Sequence, residues 1–226
     1  MCGTTHGLEM IANTPVRGKG RPRGFDRDQA LVRALEVFWT RGYGPATVAE
    51  LCLAMGINPP SLYAAFGNKD ALFLEALRHY EETYWAAPWR TLDAEPDLRR
   101  GVEHFFLKAA AILSSRDVPC GCLVVQTSGS VPTESVAVRE ALRGLREASR
   151  ASFLARFARA QAAGDLPPEA DTGALASAFA AVLQGMSAQA RDGAAREDLE
   201  RLAKVSLVML PAWRPGLRPA CDAATQ

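Results

Sequence analysis

Ser61 and Tyr63 stand between the pairs Pro59-Pro60 and Ala64-Ala65, and Lys69 follows a few positions later. Hydroxyls and a cation this close together are hydrogen-bonding groups for phosphate oxygens and base edges, and the two alanines keep a helix surface low enough for a duplex to approach. Nothing comparable points to bond-breaking chemistry. His6, His79 and His104 are widely separated, none has i,i+4 spacing with another, and the chain has neither a nucleophile elbow nor a phosphate-cradling glycine loop. The expectation is a protein that is not an enzyme and needs no metal or cofactor. The cysteines, Cys2, Cys52, Cys120, Cys122 and Cys221, are odd in number and lack a repeated metal-type spacing, so they are expected to be reduced. Cys120 and Cys122, in "PCGCLVV", open a short helix whose first amides would favour a thiolate. That reads as a switch for oxidants or electrophiles, and the competing reading is a pair of small hydrophobes.

The elements that must position Ser61 and Tyr63 are legible around them. Asp26 caps a first helix with Leu31, Ala34, Leu35, Phe38 and Trp39 at helical spacing, and "RGYG" stops it at Gly42. Thr47 and Glu50 form a capping box for a second helix whose stripe is Val48, Leu51, Cys52 and Met55, ended by Gly56. Asn58 caps a third, running from Pro59 to Phe66, in which Leu62 and Phe66 face the core and the opposite side is free. Asn68 then caps a longer fourth helix with Phe73, Ala76, Leu77, Tyr80 and Tyr84, and Lys69 at its start suits a phosphate. Two short helices joined by a glycine turn and braced by a longer one are the shape of a helix-turn-helix, whose second helix enters the major groove.

Further apolar stripes run from Leu98 to Leu113 and from Val138 to Phe157, with last helices over residues 171 to 191 and 196 to 210 and a short apolar piece inside "DVPCGCLVVQTSGSVPTES". There is no strand-type alternation and no repeat, so the fold class is all-α, with about nine helices. Basic and acidic residues, 26 against 25, nearly cancel in a chain of 226 residues, and any affinity for an anion must come from local clusters. Such a cluster lies in the segment 1 to 24, where "RGKGRPRG" and Arg17, Lys19, Arg21 and Arg23 leave no face to bury. It reads either as an arm for phosphates or a minor groove, or as a solvated tail. No stretch reaches the roughly 18 to 20 apolar residues of a membrane span, and the expected location is cytoplasmic.

The run "GFDRDQALVRALEVFWTRGYGPATVAELCLAMGINPPSLYAAFGNKDALFLEAL" resembles the DNA-binding region of the TetR family of transcriptional regulators, in its glycine, its Leu-Tyr pair, the Phe and the Asn-Lys at the family's spacing. The resemblance implies Thr47, Ser61, Tyr63 and Lys69 as DNA contacts, with Pro59 and Pro60 at the leading edge of the recognition helix. The chain departs from the family pattern at Ala46, where a second threonine is common, and at Ala64 and Ala65, where larger aromatic or histidine residues often stand. The resemblance also implies a repressor, with residues 25–70 as the helix-turn-helix domain and 71–212 as a helical ligand-binding and dimerisation domain, followed by a tail over 213–226. Partners would be double-stranded operator DNA, a second copy of the chain through residues 171–210, and a small, largely apolar effector. Small residues Ala174, Ala178, Ala181 and Gly185 beside larger ones in the penultimate helix suit close helix pairing in such a dimer. Around an effector pocket the resemblance groups Trp85, Trp89, Phe105, Cys122, Phe153 and Phe157, with His104, Gln126 and Gln184 as polar groups that would orient the ligand.

Overall fold

Four side-chain caps fix the first four helices of the computed structural model, which describes residues 25–212. Asp26 accepts the amides of Asp28 and Gln29 at 3.0 and 3.1 Å to start α1 (Arg27–Arg41). Thr47 and Glu50 close their capping box at the head of α2 (Val48–Met55). Asn58 accepts the Ser61 amide at 2.9 Å to start α3 (Pro59–Phe66), and Asn68 accepts the Ala71 amide at 2.8 Å to start α4 (Lys69–Tyr80). Each bond satisfies an amide that the first turn of a helix would otherwise leave unpaired. Gly56 turns the chain between α2 and α3 in the left-handed region, at φ 68°, which a side chain would resist.

The fourth helix does not stop near Tyr84. It widens into a π-helical turn, Glu81–Trp85, and continues as α5 (Ala86–Ala94). The widened turn comes just ahead of Pro88, which has no amide to give the Tyr84 carbonyl and whose ring would meet it in a regular helix. Next are α6 (Leu98–Leu113), the short α7 (Leu123–Thr127), the long α8 (Val136–Ala162), α9 (Thr172–Arg191) and α10 (Arg196–Ser206), closed by a 3-10 turn over Leu207–Met209. Counting α4, the π-helical turn and α5 as one interrupted helix, the described residues hold the nine helices expected.

Two aromatic clusters mark the two halves. In the first, Phe73 of α4 meets Phe38 of α1 edge-on at 5.0 Å and Tyr43 at 5.2 Å. Arg27 ties the same three-helix unit from outside, paired with Glu75 of α4, donating to the Ala65 carbonyl at 3.3 Å and lying 4.4 Å over the Phe66 ring. In the second, Phe105 and Phe106 of α6, Phe153 and Phe157 of α8 and Phe179 of α9 are all fully buried, with neighbouring rings 5.2 to 6.1 Å apart. Buried Arg156 donates to the carbonyls of Leu92, Glu95 and Pro96, placing a cation on the orphan carbonyls at the end of α5. No helix among the described residues is long and apolar enough to cross a membrane.

Candidate nucleic-acid interface and internal cavity

With Leu62 and Phe66 of α3 turned into the core, the other side of that helix is open. Tyr63 is 50% exposed, and neither its hydroxyl nor that of Ser61 has a partner among the described residues. Ser61, Ala64 and Ala65 line a surface groove completed by Phe25, Gly56, Ile57 and Asn58. Pro59 and Pro60 are exposed at the leading end of α3. Thr47, also exposed, spends its hydroxyl on the capping box with Glu50, whose carboxyl is held below its usual range by the Thr47 amide and hydroxyl. Lys69 is half-buried, lies 4.4 Å over the Tyr43 ring and donates to the Gly44 carbonyl at 3.3 Å, which leaves two of its three donors uncommitted. Arg17, Lys19, Arg21 and Arg23 lie outside the described residues.

The loop after α1 and the segment around α7 are fastened to each other. Trp39 Nε1 donates to the Gly121 carbonyl at 2.9 Å. The Tyr43 hydroxyl joins Asp70, at the start of α4, and Ser135, just ahead of α8, at 3.1 Å from the Ser135 Oγ, and Ser135 in turn donates to Asp70 at 3.2 Å. Burial and the Asp70 carboxylate push the Tyr43 hydroxyl up to about 12, so it stays a donor. Gly44 packs so tightly beside this network that a Cβ would come within 2.2 Å of the Ser130 carbonyl oxygen.

A partly enclosed cavity of about 40 Å³, room for a few waters, opens between the π-helical turn, α7, α8 and α9. Trp85, Trp89, Cys122 and Gln184 border it, joined by Glu81 and by Arg146 on α8. The remaining effector-site expectations fall elsewhere. Phe105, Phe153 and Phe157 are consumed in the aromatic core, His104 is exposed on α6, and Gln126 bridges the Cys120 carbonyl and Arg191, each at 2.6 Å. Glu81 is half-buried, and desolvation pushes its carboxyl up to about 7. Burial raises the Cys122 thiol as well, partly opposed by the Tyr80 hydroxyl, so the end of α7 does not make it a ready thiolate. Cys120 is exposed, with its thiol towards the Ser115 carbonyl at 3.7 Å, and both cysteines are free. Reasoning from sequence passed over Glu81. The signal was there, since it lies four residues after Leu77 on the stripe of Phe73, Leu77, Tyr80 and Tyr84, a carboxyl on an apolar face.

Residues 30–76 match the family model described as bacterial regulatory proteins, tetR family, and residues 98–205 match the tetracyclin repressor-like C-terminal domain. The chain belongs to the TetR family. The first TetR match spans most of α1 through α4 and the second α6 into α10, so the open face of α3 and most of the cavity wall fall inside matched regions. Two Escherichia coli K12 proteins align over nearly their whole length: the HTH-type transcriptional repressor ComR, 34% identical over 86% of this chain and 93% of that protein, and the HTH-type transcriptional repressor BdcR, 33% identical over 84% and 91%. A cysteine mutant of the TetR-family regulator CifR, solved with a 26-base-pair double-strand operator DNA, superposes with a TM-score of 0.81 at 45% identity, over 85% of this chain and all of that one.

Proposed function

We propose that this TetR-family chain is a dimeric transcriptional repressor that holds operator DNA with α3 and lets go when a small, largely apolar effector occupies the cavity beside Trp85. The observation that carries the reading is the free face of α3, where two uncommitted hydroxyls, Ser61 and Tyr63, project from a helix fixed on its other side by Leu62, Phe66 and Arg27. Lys69, with two donors free, serves a neighbouring phosphate; Thr47 flanks the face through its position at the head of α2, Pro59 and Pro60 form its apolar leading edge, and the arm's Arg17, Lys19, Arg21 and Arg23 add sequence-independent contacts.

Two recognition helices must be spaced by about one turn of B-DNA, roughly 34 Å, which calls for a rigid dimer. Residues 171–210 supply it. Ala174 and Ala181 are exposed on α9, a Cβ at Gly185 would meet open space, and Val205 and Val208 are 66% and 81% exposed at the end of the chain's last helical stretch. Apolar side chains that open on one face are what a second copy covers. Release follows from a two-state equilibrium in which the effector binds better to the arrangement with misplaced recognition helices. The path is short, because Cys122 on the cavity wall adjoins Gly121, which accepts from Trp39 of α1. The protein acts in the cytoplasm, by binding rather than turnover.

The test is fluorescence anisotropy of the purified protein, at several salt concentrations, with the DNA just upstream of its own gene and with a scrambled duplex. Preferential binding of two protomers, or a multiple of two, per site is the expected result. Equal weak binding to both, with no enrichment of any sequence from random DNA, would overturn it.

A further inference from the structure

From the cavity beside the π-helical turn we infer that the effector is an uncharged, largely apolar molecule recognised through one hydrogen-bond-accepting oxygen, which takes the indole N–H of Trp85. The inference rests on the effector reading above and narrows it to a chemical class. Trp85 is 3% exposed and its Nε1 is buried with no acceptor, a rare condition for a donor as strong as an indole N–H. The Tyr80 hydroxyl is near enough to the indole for a weak interaction, but the N–H has no acceptor in full hydrogen-bonding geometry, and that hydroxyl already accepts the Leu123 amide at 3.3 Å. An oxygen delivered by a ligand would therefore satisfy a group that the protein leaves unsatisfied.

Desolvation at the cavity wall weighs against a buried ion of either sign. Arg146 borders it and is engaged with Ser128, so a cationic amine meets a fixed positive charge and a donor where it needs an acceptor. Glu81 borders it without an ion pair among the described residues, and the desolvation that raises its carboxyl would penalise a ligand carboxylate buried beside it in the same way. In its protonated form Glu81 can also donate a hydrogen bond into the cavity. The rest of the wall is mainly apolar, Trp89, Val124, Leu145 and Leu183 among it, with Gln184 and Ser149 as its other polar side chains. A space of about 40 Å³ is smaller than any ring-sized ligand, so such a molecule must part the π-helical turn from α8 and α9 as it enters. That gives the ligand a differential affinity for a dilated state, which a preformed pocket would lack. Burial raises the Cys122 thiol, so it stands in the wall as a thiol and not as a ready thiolate.

The experiment uses the full-length dimer labelled with nitrogen-15 at tryptophan and four probes of one ring size: cyclopentanone, cyclopentane, cyclopentylamine and cyclopentanecarboxylate. Loss of one indole resonance in Trp85→Phe assigns Trp85. The expected result is a saturable shift of that resonance with cyclopentanone, at an apparent Kd at least tenfold below those of the other three, and loss of that preference in Trp85→Phe measured by calorimetry. Tighter binding of the amine or the carboxylate, an unchanged preference in Trp85→Phe, or no saturable shift with the ketone would overturn the assignment. If Trp85→Phe does not fold, Trp39→Phe, Trp89→Phe and Trp213→Phe assign the other three indoles, and the remaining wild-type resonance, that of Trp85, decides alone. Operator affinity measured in the same samples separates the two readings. Normal operator binding with no ketone shift removes the ligand class only, whereas a Trp85 shift with unaltered operator affinity upholds the ligand class and removes release by this cavity.

Discussion

Asp26, Thr47, Asn58 and Asn68 each satisfy an amide two or three residues further along the chain, whereas Phe105, Phe153 and Phe179 are held by rings contributed from three different helices. The N-terminal unit is thus specified mainly by short-range chemistry, with one small aromatic cluster and the Arg27 clamp on top, and the second half, where only α6 and α9 have such caps, at Asp97 and Asp171, mainly by long-range packing. The two halves also differ in what they leave undone. Among the described residues the buried side-chain atoms without a partner, Trp85 Nε1 and Thr127 Oγ1, both belong to the second half, as do the π-helical turn and the raised carboxyl of Glu81. A reading head must present one face rigidly, and a sensor must have somewhere to yield. The difference teaches where to look for each function.

The largest effect should come from emptying the long-range core. Phe153 lies 5.1 to 6.1 Å from the rings of Trp89, Phe105, Phe157 and Phe179, and Phe153→Ala leaves a cavity bounded by several elements. The expected cost is about 3 to 5 kcal/mol in urea unfolding of the dimer. A cost no larger than that of deleting a single helix cap would break the contrast between the halves. Smaller, and pH-dependent, is the contribution of Glu81. Its carboxyl rises from the ordinary 4.5 to about 7, so across that window the folded chain keeps a proton that the unfolded chain has released. Stability from this group is full below pH 4.5 and is lost as the pH climbs through 7. Solvent screening of a half-buried group reduces the loss to about 1 to 2 kcal/mol. The difference between wild type and Glu81→Gln, measured from pH 4.5 to 8, should follow that slope; parallel curves would mean that the site is wetter than its burial indicates.

Asn58→Ala probes the local side of the comparison. It removes the acceptor of the Ser61 amide at the head of α3 and should cost about 1 kcal/mol, with a larger loss of operator affinity than of stability because the frayed turn carries Ser61 itself. An equal affinity at matched salt would mean that the duplex, and not the cap, orders that turn.

Legibility followed the same division. Caps, glycine stops and apolar stripes placed α1 to α4 and the free face of α3 because each signal and its target lie within a turn of one another in sequence. The break at Glu81–Trp85 was missed because its trigger, Pro88, comes after the turn that it widens. The aromatic residues were recognised as a group but not sorted, since whether Phe105 lines a cavity or fills a core depends on where α8 and α9 arrive. The same holds for Gln126, which satisfies both ends of its amide with groups from two distant places, the Cys120 carbonyl and Arg191. Periodicity gives the face of a helix and says nothing of what stands opposite.

The smallest effect on folding, and the sharpest on function, belongs to Tyr63→Phe. The hydroxyl is exposed and makes no bond within the described chain, so its removal should leave stability within about 0.5 kcal/mol of wild type. On the operator the same change removes a hydrogen bond to a phosphate or base edge, about 1 kcal/mol, or roughly fivefold in Kd. The two measurements together discriminate among the roles open to an exposed tyrosine. Lost affinity with unchanged salt slope assigns the hydroxyl to a neutral contact, because only ionic contacts release counterions and add to the slope, by roughly 0.9 for each phosphate neutralised. Lost discrimination between the operator and a scrambled duplex assigns it to a base edge, since a phosphate contact weakens both alike. Unaltered affinity for both would take the hydroxyl out of the interface and leave Ser61, with Ala64 and Ala65 setting the depth of approach, as the reading surface of α3.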